Sequence, residues 1–306
     1  MKMPLMLKKA LVANGIDRET FGKRVQFPLR RLARRHGDLP GILIVGAQKA
    51  GTTTLHGLLS QHPKIRDGLF KESHFFDKPR LLEEGIGYYR SIFPVLGEGE
   101  YTIDSTPMMY HEAVPQIAAG VVPQARVIMI LRDPVKRSFS HYLHNVARGR
   151  EKLSFEEAIA QEEERIRHTA EELRTENAVT YNYRAFSYKE RSRYDGQIER
   201  WRAAFGPDNV KILIFEEFIK APEQTTNEVL AWIGLSPISL PTSSNRARNT
   251  ALVRETLNPE TEAALRIEMA PSVQRVRELL GRDVPWSYPR PESALPCNSV
   301  NGEELS

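Results

Sequence analysis

An α/β domain with a central parallel β-sheet flanked by helices is predicted by two apolar runs and by the helical spacing that succeeds each of them. Ile42-Leu-Ile-Val45 has the composition of a strand, breaks into a loop containing Gly46 and Gly51, and gives way to helical spacing of Leu55, Leu58 and Leu59. Val127-Ile-Met-Ile-Leu131 is apolar at five consecutive positions, as a strand covered on both faces of a parallel sheet would be, and it too gives way to helical spacing.

With 306 residues, 41% of them apolar and 27% charged, the chain can bury a core without disulfide staples. Its single cysteine, Cys297, cannot form an intramolecular disulfide, and no stretch reads as a signal peptide or membrane span, so a cytoplasmic protein is expected. Residues 1–38 hold ten Lys and Arg against three Asp and Glu, while the whole chain has a net charge of only +4, so the basic excess belongs to this N-terminal extension. There Phe27, Leu29 and Leu32 alternate with Arg30, Arg31, Arg34 and Arg35. The preferred reading is a helix on its own domain with solvated arginines; contact with an anionic membrane surface or an acidic acceptor is the other. No recognised motif accompanies the charge, so nucleic acid is not an expected partner. A main domain over 39–284 and a flexible tail over 285–306 complete the division.

Along the chain, His62-Pro63 ends the first helix, and Ile65 opens a short strand. Tyr101–Asp104 is a further strand, and Ser105-Thr106-Pro107 reads as a turn that starts a helix. Arg126–Leu131 ends at Arg132-Asp133-Pro134, where Asp133 suits an N-cap and Pro134 the first helical position. Val135, Phe139, Tyr142, Leu143 and Val146 share one face of the next helix. Ser154-Phe-Glu-Glu157 is a capping box for a helix that continues through Leu173, and the nine glutamates from Glu151 to Glu176 read as a solvated face. A helix over 183–205, a strand over 210–215, a helix over 223–233 and a last helix from Pro259 to Gly281 complete the order. Residues 240–250 form an irregular loop whose Asn245, Arg246 and Arg248 could donate to a phosphate.

The chemistry gathers at the first loop. Gly46 and Gly51 allow a tight turn with N–H groups inward, the helix start adds unpaired donors, and Lys49 adds a full charge, which together make an anion site. In the nucleoside-triphosphate loop the lysine comes after the second glycine. In Gly46-Ala-Gln48-Lys49-Ala50-Gly51-Thr52-Thr53 it precedes that glycine by two residues. Arg132 sits at a strand tip, with the Ser140 hydroxyl two helical turns on, where phosphate oxygens could be met.

This loop, together with Lys71-Glu72-Ser73-His74-Phe75-Phe76-Asp77, Thr106-Pro107, and Arg132-Asp133-Pro134 through Ser140-His141-Tyr142, resembles the sulfotransferases of the heparan-sulfate type and their bacterial relatives. The resemblance covers roughly residues 40–250 and implies a P-loop-type sulfotransferase fold. It also implies transfer of a sulfuryl group from 3′-phosphoadenosine 5′-phosphosulfate (PAPS), leaving adenosine 3′,5′-bisphosphate (PAP), with no metal required. By position, the loop from Gly46 through Gln48, Lys49, Ala50, Gly51 and Thr52 to Thr53 would hold the 5′-phosphosulfate, and Arg132 and Ser140 the 3′-phosphate. Glu72 would be the general base with His74 in reserve, Lys49 would assist catalysis, and Lys71, Asp77 and Ser105 would meet the substrate. Where family members carry a lysine before Thr-Pro, this chain has Ser105. That departure weakens the case for an anionic polysaccharide and favours a sugar, glycolipid or secondary-metabolite acceptor, met through the variable segments 78–100 and 174–190. A nucleoside-triphosphate-dependent kinase and a non-catalytic nucleotide-binding protein are the alternatives.

Overall fold

A computed structural model describes residues 18–33, 36–167, 181–240 and 255–290. Five strands form one sheet: β1 (Ile42–Gly46), β2 (Ile65–Asp67), β3 (Tyr101–Asp104), β4 (Arg126–Leu131) and β5 (Val210–Ile214). They lie in the order β2-β3-β1-β4-β5, and every pairing is parallel. From β1 the chain passes to the edge strand β2, returns to β3 between the two, then crosses to the other side of β1 for β4 and β5. The reversal places a crevice beyond the carboxyl end of β1, where ligands of doubly wound sheets bind.

The flanking helices include α1 (Thr52–Leu59), α2 (Val114–Val121), α3 (Pro134–Val146), α4 (Asp195–Phe205), α5 (Pro222–Trp232) and α6 (Pro259–Leu280). Ile42–Val45 and Val127–Leu131 are wholly buried, as their uninterrupted apolar runs predict. Each such side chain contributes roughly 1.5–3 kcal/mol through removal from water. Helix α3 starts as expected: Asp133 accepts from the N–H groups of Val135 and Lys136 at 3.0 and 3.1 Å, with Pro134 behind it. The capping box at Ser154 is present, and Asn258 caps α6.

Several elements differ from the sequence reading. No helix succeeds Thr106-Pro107; the N–H groups of Met108 and Met109 both donate to the Val45 carbonyl at 2.8 Å, holding the segment against the end of β1 until α2 begins at Val114. The helix expected through Leu173 breaks at Gln161 into Phe155–Ala160 and Glu162–Ile166, and residues 168–180 lie outside the described residues. The helix expected over 183–205 is three pieces, Tyr181–Phe186, a 3-10 turn at Glu190–Ser192, and α4. Two of the glutamates read as solvated are buried. Glu162 accepts from the N–H groups of Lys189 and Glu190 at 2.7 and 2.8 Å, and Glu151 pairs with Arg165 at 2.8 Å.

Near the C-terminus, Trp286 and Tyr288 are buried and donate to Glu216 and Asp133, so packing of the domain extends past the expected boundary at 285. In the N-terminal extension, Phe27 packs edge-on to Phe70 and Tyr88, and Arg30 donates to the Phe93 carbonyl at 2.7 Å. Its outward side carries Val25, Leu29 and Leu32 beside the cations rather than arginines alone.

Candidate active site

At the carboxyl end of β1 a cleft of about 320 Å³ is lined by Gln48, Lys49, Gly51, Thr52, Thr53 and Thr54 from the loop and α1. Lys71, Glu72 and Pro107 approach from the β2–β3 side, Arg132, Ser140, His144 and Arg148 from β4 and α3, and Phe215 from the end of β5. The loop has the backbone geometry its glycines suggest. Gly51 has φ 88°, and a Cβ there would stand 3.1 Å from the Phe215 ring. Lys49 itself adopts φ 72°, an uncommon left-handed conformation for a residue with a side chain. Gly51 is the N-cap of α1 and has no side chain to cap with, so the first-turn N–H groups at Thr52, Thr53 and Thr54 remain for a ligand.

The cations of the cleft are brought together by tertiary structure. Arg132 donates to the Lys49 carbonyl at 3.0 Å and lies over the Phe215 ring, 5.1 Å from its centroid. Among the described residues, none of Lys49, Arg132 and Arg148 is ion-paired, and the buried Nε of Arg132 has no hydrogen-bond partner. Burial, then the charges of Arg132 and Arg148, pushes the Lys49 ammonium below its ordinary pKa. Burial, then Lys49, Arg148 and Arg150, pushes His144 down to about 4, so this imidazole is neutral at pH 7. An unpaired donor and mutually repelling cations around a helix start fit a multiply charged anion.

Across the cleft, carboxylates and cations alternate. Lys71 Nζ stands 3.0 Å from Glu72 Oε1; His74 Nε2 stands 3.6 Å from Glu72 Oε2; His74 Nδ1 stands 3.0 Å from the buried carboxylate of Asp77. Burial opposes the charged form of Glu72, but the hydrogen bond from His74 and the charge of Lys71 prevail and bring it down to about 2. For His74, burial is likewise outweighed by hydrogen bonds to Asp77 and Glu72, which raise it to about 9. At pH 7 it is an imidazolium between two carboxylates, with no lone pair for a proton.

The segment carrying these groups is held by a buried Asp104 at the tip of β3. Its carboxylate accepts from the hydroxyls of Ser73, Thr106 and Tyr89, the last two at 2.6 and 2.9 Å. The Ser73 N–H meets Thr106 Oγ1 at 3.0 Å. This places Glu72 over the cleft.

Ser105 does not reach the cleft. It is completely buried and shares a 2.7 Å hydrogen bond with His56 Nδ1, because the residue preceding Thr106 turns inward under α1. Gly46 and Ala50 are buried and shape the loop with their backbone. Neither His74 nor Asp77 lines the cleft; Asp77 holds His74, which in turn stands beside Glu72. Asn245, Arg246 and Arg248 lie outside the described residues. The segment 78–100 folds into two short helices, Pro79–Glu83 and Gly85–Arg90. The sequence reading missed His144, Arg148 and Phe215. The first two were findable, since they come after Ser140 by one and two helical repeats of four on the same face.

Residues 40–92 and 73–238 match the profile described as the sulfotransferase family. The chain belongs to the sulfotransferase family. Among its sulfotransferase relatives, the bifunctional heparan sulfate N-deacetylase/N-sulfotransferase 3 of Mus musculus is 31% identical over 214 residues, which cover 65% of this chain and 23% of that protein. The heparan sulfate glucosamine 3-O-sulfotransferase 6 of Homo sapiens is 36% identical over 110 residues, covering 36% of this chain and 31% of its own. The chain therefore spans less than a third of the length of each of these two relatives. A sulfotransferase crystal structure from Alicyclobacillus acidocaldarius superposes with a TM-score of 0.66 at 28% identity, covering 81% of this chain and 98% of the other. The parallel five-stranded sheet with a loop at the end of β1 is thus the P-loop-type sulfotransferase fold.

Proposed function

We propose that the protein transfers the sulfuryl group of PAPS to a hydroxyl, or less favourably an amine, of a carbohydrate, glycolipid or secondary-metabolite acceptor. The observation that carries this reading is the opposition, across one cleft, of an unpaired cation cluster and an ionised carboxylate. Lys49, Arg132 and the open start of α1 suit the donor's phosphates, and Glu72 faces them. The family relatives bearing heparan sulfate in their names support a glycan-like acceptor.

In this reading the loop N–H groups and Lys49 stabilise charge on the departing 5′-phosphate oxygen while Arg132 and Ser140 hold the 3′-phosphate. Glu72 takes the acceptor's proton as its oxygen attacks sulfur in line. His74, already protonated, serves to orient Glu72 rather than to act as the base. The carboxylate that a kinase would need at the end of β4 for magnesium is committed elsewhere. Asp133 caps α3, pairs with Arg266 at 3.1 Å and accepts from Tyr288, and is buried.

Calorimetric titration with PAP, in parallel with ATP plus magnesium, tests the donor site. Binding of PAP without metal, lost in Lys49→Ala and Arg132→Ala, is the expected result. Binding of magnesium-ATP alone would reverse the assignment.

A further inference from the structure

Lys71 stands at the junction between the loop and the carboxylate. Its Nζ donates to Thr53 Oγ1 at 2.7 Å, in the first turn of α1, and pairs with Glu72 Oε1 at 3.0 Å. Its backbone is fixed, because its carbonyl accepts from the Ser105 N–H at 3.1 Å at the tip of β3. Only the side chain is free to change partner, on a flexible four-carbon stem with three rotatable donors. The other cation on Glu72 has no such freedom. His74 has a left-handed backbone, φ 53°, and its Nδ1 is held by both oxygens of Asp77, at 3.0 and 3.2 Å.

Both carboxylate oxygens of Glu72 therefore face cations, Oε1 facing Lys71 and Oε2 facing His74. A carboxylate so engaged is charged but a poor proton acceptor. For an acceptor hydroxyl to reach it, one cation must leave. We propose that Lys71 is a positioning residue that couples donor occupancy to the base: with phosphosulfate on the loop, Lys71 exchanges Glu72 for a donor oxygen, leaving Glu72 Oε1 open to the acceptor. This rests on the assignment of the cleft as a PAPS site.

Chemically, the acceptor's proton passes to Glu72 Oε1 as an oxygen lone pair forms the new bond to sulfur. The bond from sulfur to the 5′-phosphate oxygen breaks, and its electron pair stays on that oxygen, within reach of the Lys49 and Lys71 ammonium groups. Before the donor binds, the base is masked, so an acceptor arriving alone meets no competent Glu72.

The test is a carboxyl-carbon NMR titration of glutamate-labelled protein with and without PAP, with Glu72 assigned by the loss of its signal in Glu72→Gln. In the wild type the Glu72 midpoint should rise by at least one pH unit when PAP is bound. In Lys71→Met it should already be raised without nucleotide and move less than half as far, while Lys71→Arg should restore the wild-type response. Direct repulsion by the nucleotide acts on all the proteins alike, so the difference between them reads Lys71. Should Lys71→Met fail to fold, Lys71→Gln takes its place. An unmoved wild-type midpoint with PAP bound, or equal movement with and without the lysine, overturns the proposal while leaving the donor site standing. Calorimetry on the same samples that finds no PAP binding removes the functional reading itself, and the proposal with it.

Discussion

Arg132 reaches from the tip of β4 to the carbonyl oxygen of Lys49, at 3.0 Å, so two of the cations that line the cleft are locked at adjacent strand ends. Among the described residues neither is ion-paired, and burial together with the charge of Arg132 disfavours the Lys49 ammonium, a cost that a bound polyanion would relieve. In the proposed donor site both residues would be needed, although they are far apart in the chain.

Removing Arg132 should therefore weaken donor binding with little effect on the fold. A hydrogen bond to a charged partner contributes about 1.5–3 kcal/mol. Arg132→Ala should raise the dissociation constant for PAP roughly 10- to 100-fold in calorimetry. An unchanged affinity would remove Arg132 from the phosphate site.

Glu72→Gln keeps the shape of the side chain and discards its basicity. Turnover of PAPS with a responsive acceptor should fall by about 10²-fold or more, as loss of a general base does. Binding of PAP should persist. Near-normal turnover would show that another group takes the proton.

The pair formed by His74 and Asp77 predicts a pH dependence of stability. The folded-state pKa of His74, about 9, lies above its ordinary value of 6.5. Its contribution is thus fully present below pH 6.5 and is lost as the pH rises through 9. Between those limits the wild-type Tm should fall more steeply than that of His74→Asn. Parallel Tm curves for the two proteins would mean that the imidazolium is not held by its carboxylates. Glu72 has the opposite sign: depressed to about 2, it stabilises the fold above pH 4.5 and loses that contribution as the pH falls through 2.

Asp104 is a purely internal anchor, and its loss should be felt at a distance. In Asp104→Ala the buried hydroxyls of Ser73, Thr106 and Tyr89 lose their shared acceptor. Each group left unpaired costs about 1–3 kcal/mol. Urea denaturation should show at least about 2 kcal/mol of destabilisation. Any folded fraction should bind PAP better than it turns over, since Glu72 loses its support while the loop keeps its own. Wild-type stability would contradict a supporting role for Asp104.

Features that depend on neighbours along the chain were legible in the amino-acid order. The strand and loop at Ile42–Gly51, the buried run Val127–Leu131, and the caps at Asp133 and Ser154 are of this kind, because turn geometry, burial on both faces and capping are set within a few residues. The motifs of the cleft were legible for the same reason. Which groups meet is a matter of tertiary packing. Lys71 reaches Thr53 and Ser105 turns under His56 because the tips of β2 and β3 are packed beside α1 by parallel crossovers. Glu151 and Glu162 are buried despite a glutamate-rich stretch because Arg165 and the N–H groups at residues 189 and 190 are brought to them. A charged side chain stays in water unless the fold delivers a partner, and local sequence carries no record of a partner many residues away.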